Sequence, residues 1–308
     1  MTFFLGATAS KRWRLSAAAM GFGVLLALGV LSAQAGGPEL KKISLPGGTT
    51  LAYKTWGSGP IPVVYVHGYS LSMATWDRII NRVPARYTNF AYDLRGFGDS
   101  ARGGVNDYPH HVKDLVEFLD AMKIDRAVLI GHSMGGNFLQ DFVIAHPDRV
   151  RAVVLSDASA RVIAPPDPVA NRVEERLKLY GSPDDNRKVF QVGMPRYFHP
   201  SNVKPGELES WIEIGVKADT TALKEMLQAN YALKPVPPEQ YSVVTAPVLI
   251  INGAHDGISS PAHVIAMSDA MPHAKVVLIP KAGHTPMWEQ PAAWSEAVFE
   301  FLNRAVPL

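Results

Sequence analysis

A short apolar run at residues 127–130 passes through Gly131-His132-Ser133-Met134-Gly135-Gly136 into an apolar-periodic segment at 134–145. Few backbones can carry that succession. A buried strand has to turn sharply into a helix, with a serine at the apex and small residues beside it to make room for the turn. Gly131 and Gly135 supply the room, and Gly136 lets the helix approach the strand closely. The outcome is a hydroxyl lifted above the edge of a sheet, next to the free N–H groups and positive dipole of a helix N-terminus. Composition alone would produce G-x-S-x-G in about one chain of this length in ten, so its weight comes from the strand before it and the helix after it.

The remaining pattern supplies the sheet that this turn needs. Residues 41–45, 50–55, 61–66, 88–92, 152–155, 247–251 and 275–279 read as further strands, and 61–66 is apolar throughout, as a strand buried on both faces should be. Helical periodicity separates them: Met73, Trp76, Ile79, Ile80 and Val83 predict a helix over 72–83, and Val112, Leu115, Val116, Leu119 and Met122 one over 112–122. Two more are expected at 262–271 and 292–304. Alternation of this kind implies a mostly parallel sheet covered by helices. It breaks between 158 and 241, where prolines and charges thicken and helical patterns at 169–180, 207–217 and 221–231 follow one another with no strand between them. The expected organisation is a core of 36–157 and 242–308, interrupted by a helical insertion at 158–241.

Of the 308 residues, 47% are hydrophobic and 19% charged, enough apolar material for a sizeable core. The formal charge of +2 is concentrated at the front, in Lys11, Arg12 and Arg14. Beyond residue 35 there are 27 Lys and Arg against 28 Asp and Glu. Such a balance offers nucleic acid no basic patch. The absence of cysteine excludes disulfides, a thiol nucleophile and thiolate metal sites, and no H-x-x-x-H spacing suggests a metal site of another kind. The basic cluster, the uncharged stretch 15–35 and the closing Ala33-Gln34-Ala35 have the order of a secretory signal peptide. Residues 1–35 are therefore expected to direct export to the periplasm or medium, or, if uncleaved, to anchor the chain in a membrane.

A serine hydroxyl needs a base within hydrogen-bond reach to act as a nucleophile. His284 follows the strand at 275–279 across Lys281-Ala282-Gly283, which puts it in a loop at a late strand end. His132, adjacent to Ser133, should point away. An acid to orient the imidazole should leave another strand end. Asp256, after 247–251, fits, and Asp157, after 152–155, is its rival. The order Ser133, Asp256, His284 along the chain favours the former. Two N–H groups are needed to hold a developing oxyanion. Met134 follows the serine, and the Val66-His67-Gly68-Tyr69 loop brings the Tyr69 amide. Met287 and Trp288, just past His284, are candidate substrate-binding residues by proximity.

Taken together, His67-Gly68-Tyr69, the Asp93–Ser100 turn, Gly131–Gly136, Gly253–Asp256 and Gly283-His284 resemble the α/β-hydrolase superfamily over residues 40–305. The resemblance implies an eight-stranded, mostly parallel sheet with helices on both faces and a cap inserted after strand 6. It implies Ser133 as nucleophile, Asp256 as acid, His284 as base, and Tyr69 and Met134 as oxyanion donors. No cofactor is expected, and the expected partner is a small, apolar ester. Lactonase, C–C bond hydrolase, amidase and perhydrolase chemistry use the same residues, and a non-catalytic binding module could keep the fold.

Overall fold

The strands form at the places where the apolar runs fall. They are β1 (Leu40–Ser44), β2 (Thr50–Trp56), β3 (Ile61–Val66), β4 (Tyr87–Tyr92), β5 (Ala127–His132), β6 (Val150–Ser156), β7 (Val248–Gly253) and β8 (Lys275–Ile279). They make one sheet in the order β1-β2-β4-β3-β5-β6-β7-β8. β2 pairs antiparallel with both β1 and β4, and every other pairing is parallel. The computed structural model describes residues 38–307 apart from 168–170 and 205, and the leader expected over residues 1–35 lies outside the described residues.

Nine α-helices accompany the sheet among the described residues: α1 (Tyr108–Ala121), α2 (Met134–Ala145), α3 (Val173–Leu179), α4 (Pro183–Gly193), α5 (Glu207–Val216), α6 (Thr220–Ala232), α7 (Pro261–Ala270), α8 (Pro286–Glu289) and α9 (Pro291–Ala305). The pleat divides the central strands' side chains into two apolar cores. Val64, Val66, Leu129, Val153 and Ile250 face α1, α2 and α7, and the helices of the insertion continue that core. Val63, Tyr65, Val128, Ile130 and Ile251 face the opposite way, onto Met73, Trp76 and the inner side of α9. Burial on both faces explains why β5 and β7 are apolar with no polar alternation.

Two local expectations are corrected. The helix expected over 72–83 is instead a pair of 3-10 turns, Met73–Trp76 and Ile80–Arg82. The buried residues Met73, Trp76 and Ile79 recur every third position, which suits three residues per turn better than 3.6. Pro84, moreover, disfavours helical geometry in Val83, which is extended. In the insertion, α4 occupies residues that no apolar period had marked. Its signal was a capping box instead: the Ser182 hydroxyl accepts from the Asp185 amide, Asp185 accepts back from Ser182, and Pro183 starts the helix.

The turn from β5 into α2 depends on missing side chains. A Cβ on Gly135 would lie 2.6 Å from the carbonyl oxygens of both Val66 and His67. One on Gly131 would meet the Gly136 nitrogen at 2.7 Å. Gly135→Ala is therefore expected to destabilise the protein by about 2 kcal/mol through backbone overpacking. Gly193→Ala is the control, since nothing lies within 4 Å of a Cβ there. Equal urea midpoints for the two variants would contradict this account.

Candidate active site

Ser133 sits at φ 52°, ψ −123°, a conformation non-glycine residues rarely adopt, held by neighbours on both sides. Its amide donates to the Ser156 carbonyl of β6 at 2.9 Å, and its carbonyl accepts from Asn137 at 2.9 Å, one turn into α2. Its hydroxyl is half-buried and lies 2.8 Å from His284 Nε2. On the other side of the ring, His284 Nδ1 donates to Asp256 Oδ2 at 2.8 Å. The three residues leave the C-terminal ends of β5, β7 and β8, where a parallel sheet gathers its loops. Sheet order, and not chain proximity, brings them together.

Asp256 is placed by its own loop. Its Oδ1 accepts from the amides of Ile258 at 2.7 Å and Ser259 at 3.1 Å. Burial works to raise its pKa, but the His284 imidazole and these hydrogen bonds outweigh burial and hold it below the ordinary carboxylate value. Asp157, the rival acid, lies close by: one oxygen of each aspartate and one nitrogen of His284 fall within 4.8 Å of one another. Its oxygens are engaged elsewhere, however, by the Gly253 amide at 2.8 Å and the Ser156 hydroxyl at 2.9 Å. Full burial, then the charge of Asp256, push the Asp157 pKa well up. Two carboxyls so close oppose each other's ionisation, and their surroundings favour the charged form at Asp256 over Asp157.

The loop after β3 lies directly against the serine, for a Cβ on Gly68 would come within 3.0 Å of Ser133 Cβ. His67 sets this loop. Its Nε2 accepts from Leu94 N–H at 3.0 Å, which leaves Nδ1 as a donor to the Gly68 carbonyl at 2.8 Å. Because the peptide is planar and trans, pinning the Gly68 oxygen also fixes the opposite direction for the Tyr69 N–H. Burial depresses the His67 pKa to about 4, so the ring stays neutral and keeps both roles at physiological pH. Met134 is the first residue of α2, and its N–H has no intrahelical acceptor. The Tyr69 hydroxyl donates to the Leu223 carbonyl of α6 at 3.0 Å and lies 3.2 Å from the Tyr180 hydroxyl, which ties the loop to the helices of the insertion.

His132 does turn away from the serine, yet it is not idle. Fully buried and with a pKa lowered to about 3, first by burial and then by the charge of His284, it is a neutral ring. Its Nε2 donates to the His284 carbonyl at 2.7 Å. Met287 is fully buried in the core that contains Trp76 and Trp294, beneath the sheet. Trp288 packs edge-on to Trp211 of α5, with the Arg78 guanidinium 4.2 Å above its ring. The rings that lie against His284 are His132, with centroids 5.1 Å apart, and Tyr197, with centroids 5.4 Å apart. Tyr197 belongs to the insertion, and proximity along the chain gave no sign of it.

A hydroxyl, an imidazole and a carboxylate are hydrogen-bonded in series at the C-terminal edge of a mostly parallel sheet, an arrangement suited to nucleophilic hydrolysis. The sequence profile of the Alpha/beta hydrolase family matches residues 63–297, and the chain belongs to that family. It is 27% identical over 268 residues to 2-(acetamidomethylene)succinate hydrolase of Mesorhizobium japonicum, covering 83% of this chain and 93% of that one. It is 26% identical to esterase YbfF of Escherichia coli over 79% of this chain and 93% of that one. Among solved structures, a thermophilic esterase from Thermogutta terrifontis, studied with malate bound, superimposes with a TM-score of 0.77 at 27% identity, over 87% of this chain and 99% of that one. The protein is an ester-acting hydrolase.

Proposed function

We propose that the protein cleaves a small carboxylic ester through an acyl-enzyme, with Ser133 as nucleophile, His284 as general base and acid, and Asp256 as the acid that orients the imidazole. The observation that carries this reading is the pair of 2.8 Å hydrogen bonds on the two sides of one ring. His284 takes the Ser133 proton as Oγ bonds to the ester carbonyl carbon, and the carbonyl oxygen gains the negative charge. The amides of Tyr69 and Met134 receive that charge. Collapse breaks the bond to the alcohol oxygen, which leaves with the proton from His284. Water then repeats the sequence on the acyl group and frees Ser133.

The helical insertion roofs the reaction site in this reading. The Tyr69 hydroxyl, on the loop beside Ser133, is tied to Tyr180 and to Leu223 of α6, and Tyr197 lies against His284, which supports a weakly polar surrounding suited to an apolar ester. The protein acts outside the cytoplasm, a proposal supported by Lys11, Arg12 and Arg14 ahead of the uncharged stretch that ends in Ala33-Gln34-Ala35. N-terminal sequencing of the exported form checks this part.

The chemistry is tested with a fluorophosphonate probe, which reacts with an activated serine. The expected result is stoichiometric loss of activity on small chromogenic esters, with the adduct mapped to the peptide that holds Ser133. Undiminished hydrolysis after labelling, or an adduct at another serine, would sink the reading.

A further inference from the structure

His284 stands in a loop, and a base that must meet a hydroxyl within a fraction of an ångström needs that loop held still. The fastening is unusually complete. The His284 amide donates to the Tyr197 carbonyl at 2.7 Å, and its carbonyl accepts from His132. The residues on either side are held by a single carboxylate, that of Glu289 at the end of α8. Its Oε1 accepts from the Gly283 amide at 2.8 Å, the Thr285 amide at 3.3 Å and the Thr285 hydroxyl at 3.2 Å. Its Oε2 accepts from the His199 amide at 2.7 Å and the Asn202 side-chain amide at 3.0 Å. One oxygen thus brackets His284, and the other grips the insertion.

The two partners of this grip are also in direct steric contact. A Cβ on Gly283 would fall 2.8 Å from the His199 nitrogen and the Tyr197 oxygen, so segment 197–199 lies flat on the histidine loop. We propose that Glu289 is a positioning residue that sets the location of His284 and couples it to the seating of the helical insertion, a role that rests on reading His284 as the base. The insertion is then part of what assembles the site, and displacing it would withdraw the base from Ser133. Glu289 touches neither substrate nor reacting atoms.

A carboxylate is required because both oxygens face N–H donors. Glutamine keeps the shape but must turn its own N–H₂ toward one set of them. Glu289→Gln is expected to lower kcat and the rate of fluorophosphonate labelling together, by about 10- to 100-fold, with KM changed by less than about threefold. A merely structural contribution would shift the thermal midpoint and the folded fraction while leaving kcat per labelled active site at the wild-type value.

Asn202→Ala removes a side-chain amide that donates to Glu289 Oε2 and to the Lys281 carbonyl of the histidine loop, and serves if Glu289→Gln does not fold. It is expected to slow labelling several-fold. Wild-type kcat and labelling rates in Glu289→Gln, or wild-type labelling in Asn202→Ala if that variant alone folds, would overturn the proposal. A wild-type protein that does not label at Ser133 would instead count against the proposed function.

Discussion

Ser133→Ala is expected to lower kcat on a small chromogenic ester by a factor on the order of 10⁶ while leaving the thermal midpoint within a few degrees of wild type. The loss is large because hydroxyl, imidazole and carboxylate act as a unit, so removing the atom that forms the covalent bond forfeits the contribution of the other two. Stability should barely change in that variant, for alanine keeps the Cβ and with it the strained φ of 52°. Glycine does not. Ser133→Gly should be equally inactive but more stable by about 1 kcal/mol, the strain relieved less the extra chain entropy of glycine. The pair separates chemistry from strain, and denaturation curves with kinetics on both variants read it out. Residual turnover near wild type in either variant would rule out Ser133 as nucleophile. A Ser133→Gly variant no more stable than Ser133→Ala would rule out stored strain at the turn.

The two buried aspartates should respond very differently to the same substitution. Asp256→Asn is expected to cost about 10⁴ in kcat, because an amide facing Nδ1 can supply a proton to it and so favour the tautomer with hydrogen on Nε2, which cannot accept from Ser133. Asp157→Asn should cost less than about tenfold. The Asp157 oxygens accept from the Gly253 amide and the Ser156 hydroxyl, away from the His284 imidazole, so an isosteric amide leaves Ser133, His284 and Asp256 in place. Stability should diverge in opposite pH directions. The lowered pKa of Asp256 contributes stability that is present above the unfolded value of about 3.9 and lost as pH falls through the folded value. The raised pKa of Asp157 contributes stability that is complete below about 3.9 and lost as pH rises through its folded value. Asp157→Asn should therefore flatten the alkaline decline, and Asp256→Asn the acid one, in urea titrations across pH. The reverse kinetic ranking would transfer the acid's role to Asp157.

The central strands β3, β5, β6 and β7 were legible because burial on both faces writes itself into sequence as runs of Val, Ile and Leu. All of them lie within about two residues of where the apolar runs fall. Helical periodicity was less dependable. Residues 72–83 carry the apolar spacing of a helix and form 3-10 turns, whereas Pro183–Gly193 carries little such spacing and is a helix by virtue of its cap and of Phe190 packing inward. Neither Met287 nor Trp288 could be placed from proximity to His284. The chain reverses through α8, so Met287 is carried under the sheet and Trp288 against α5.

The sequence by itself determined that a serine stands at a strained strand-to-helix turn, and that a histidine and two candidate aspartates close late strands. Those features are local, written in glycines and apolar runs that satisfy their own stretch of backbone. The tertiary structure decided which aspartate faces the imidazole, that Tyr197 and not Met287 lies beside His284, and that Glu289 holds its loop. Each of these turns on hydrogen bonds or packing between residues brought together by strand order, such as the link across 151 positions from Ser133 to His284. Local pattern cannot specify them, because the energy that selects them exists only once the sheet has closed around both ends.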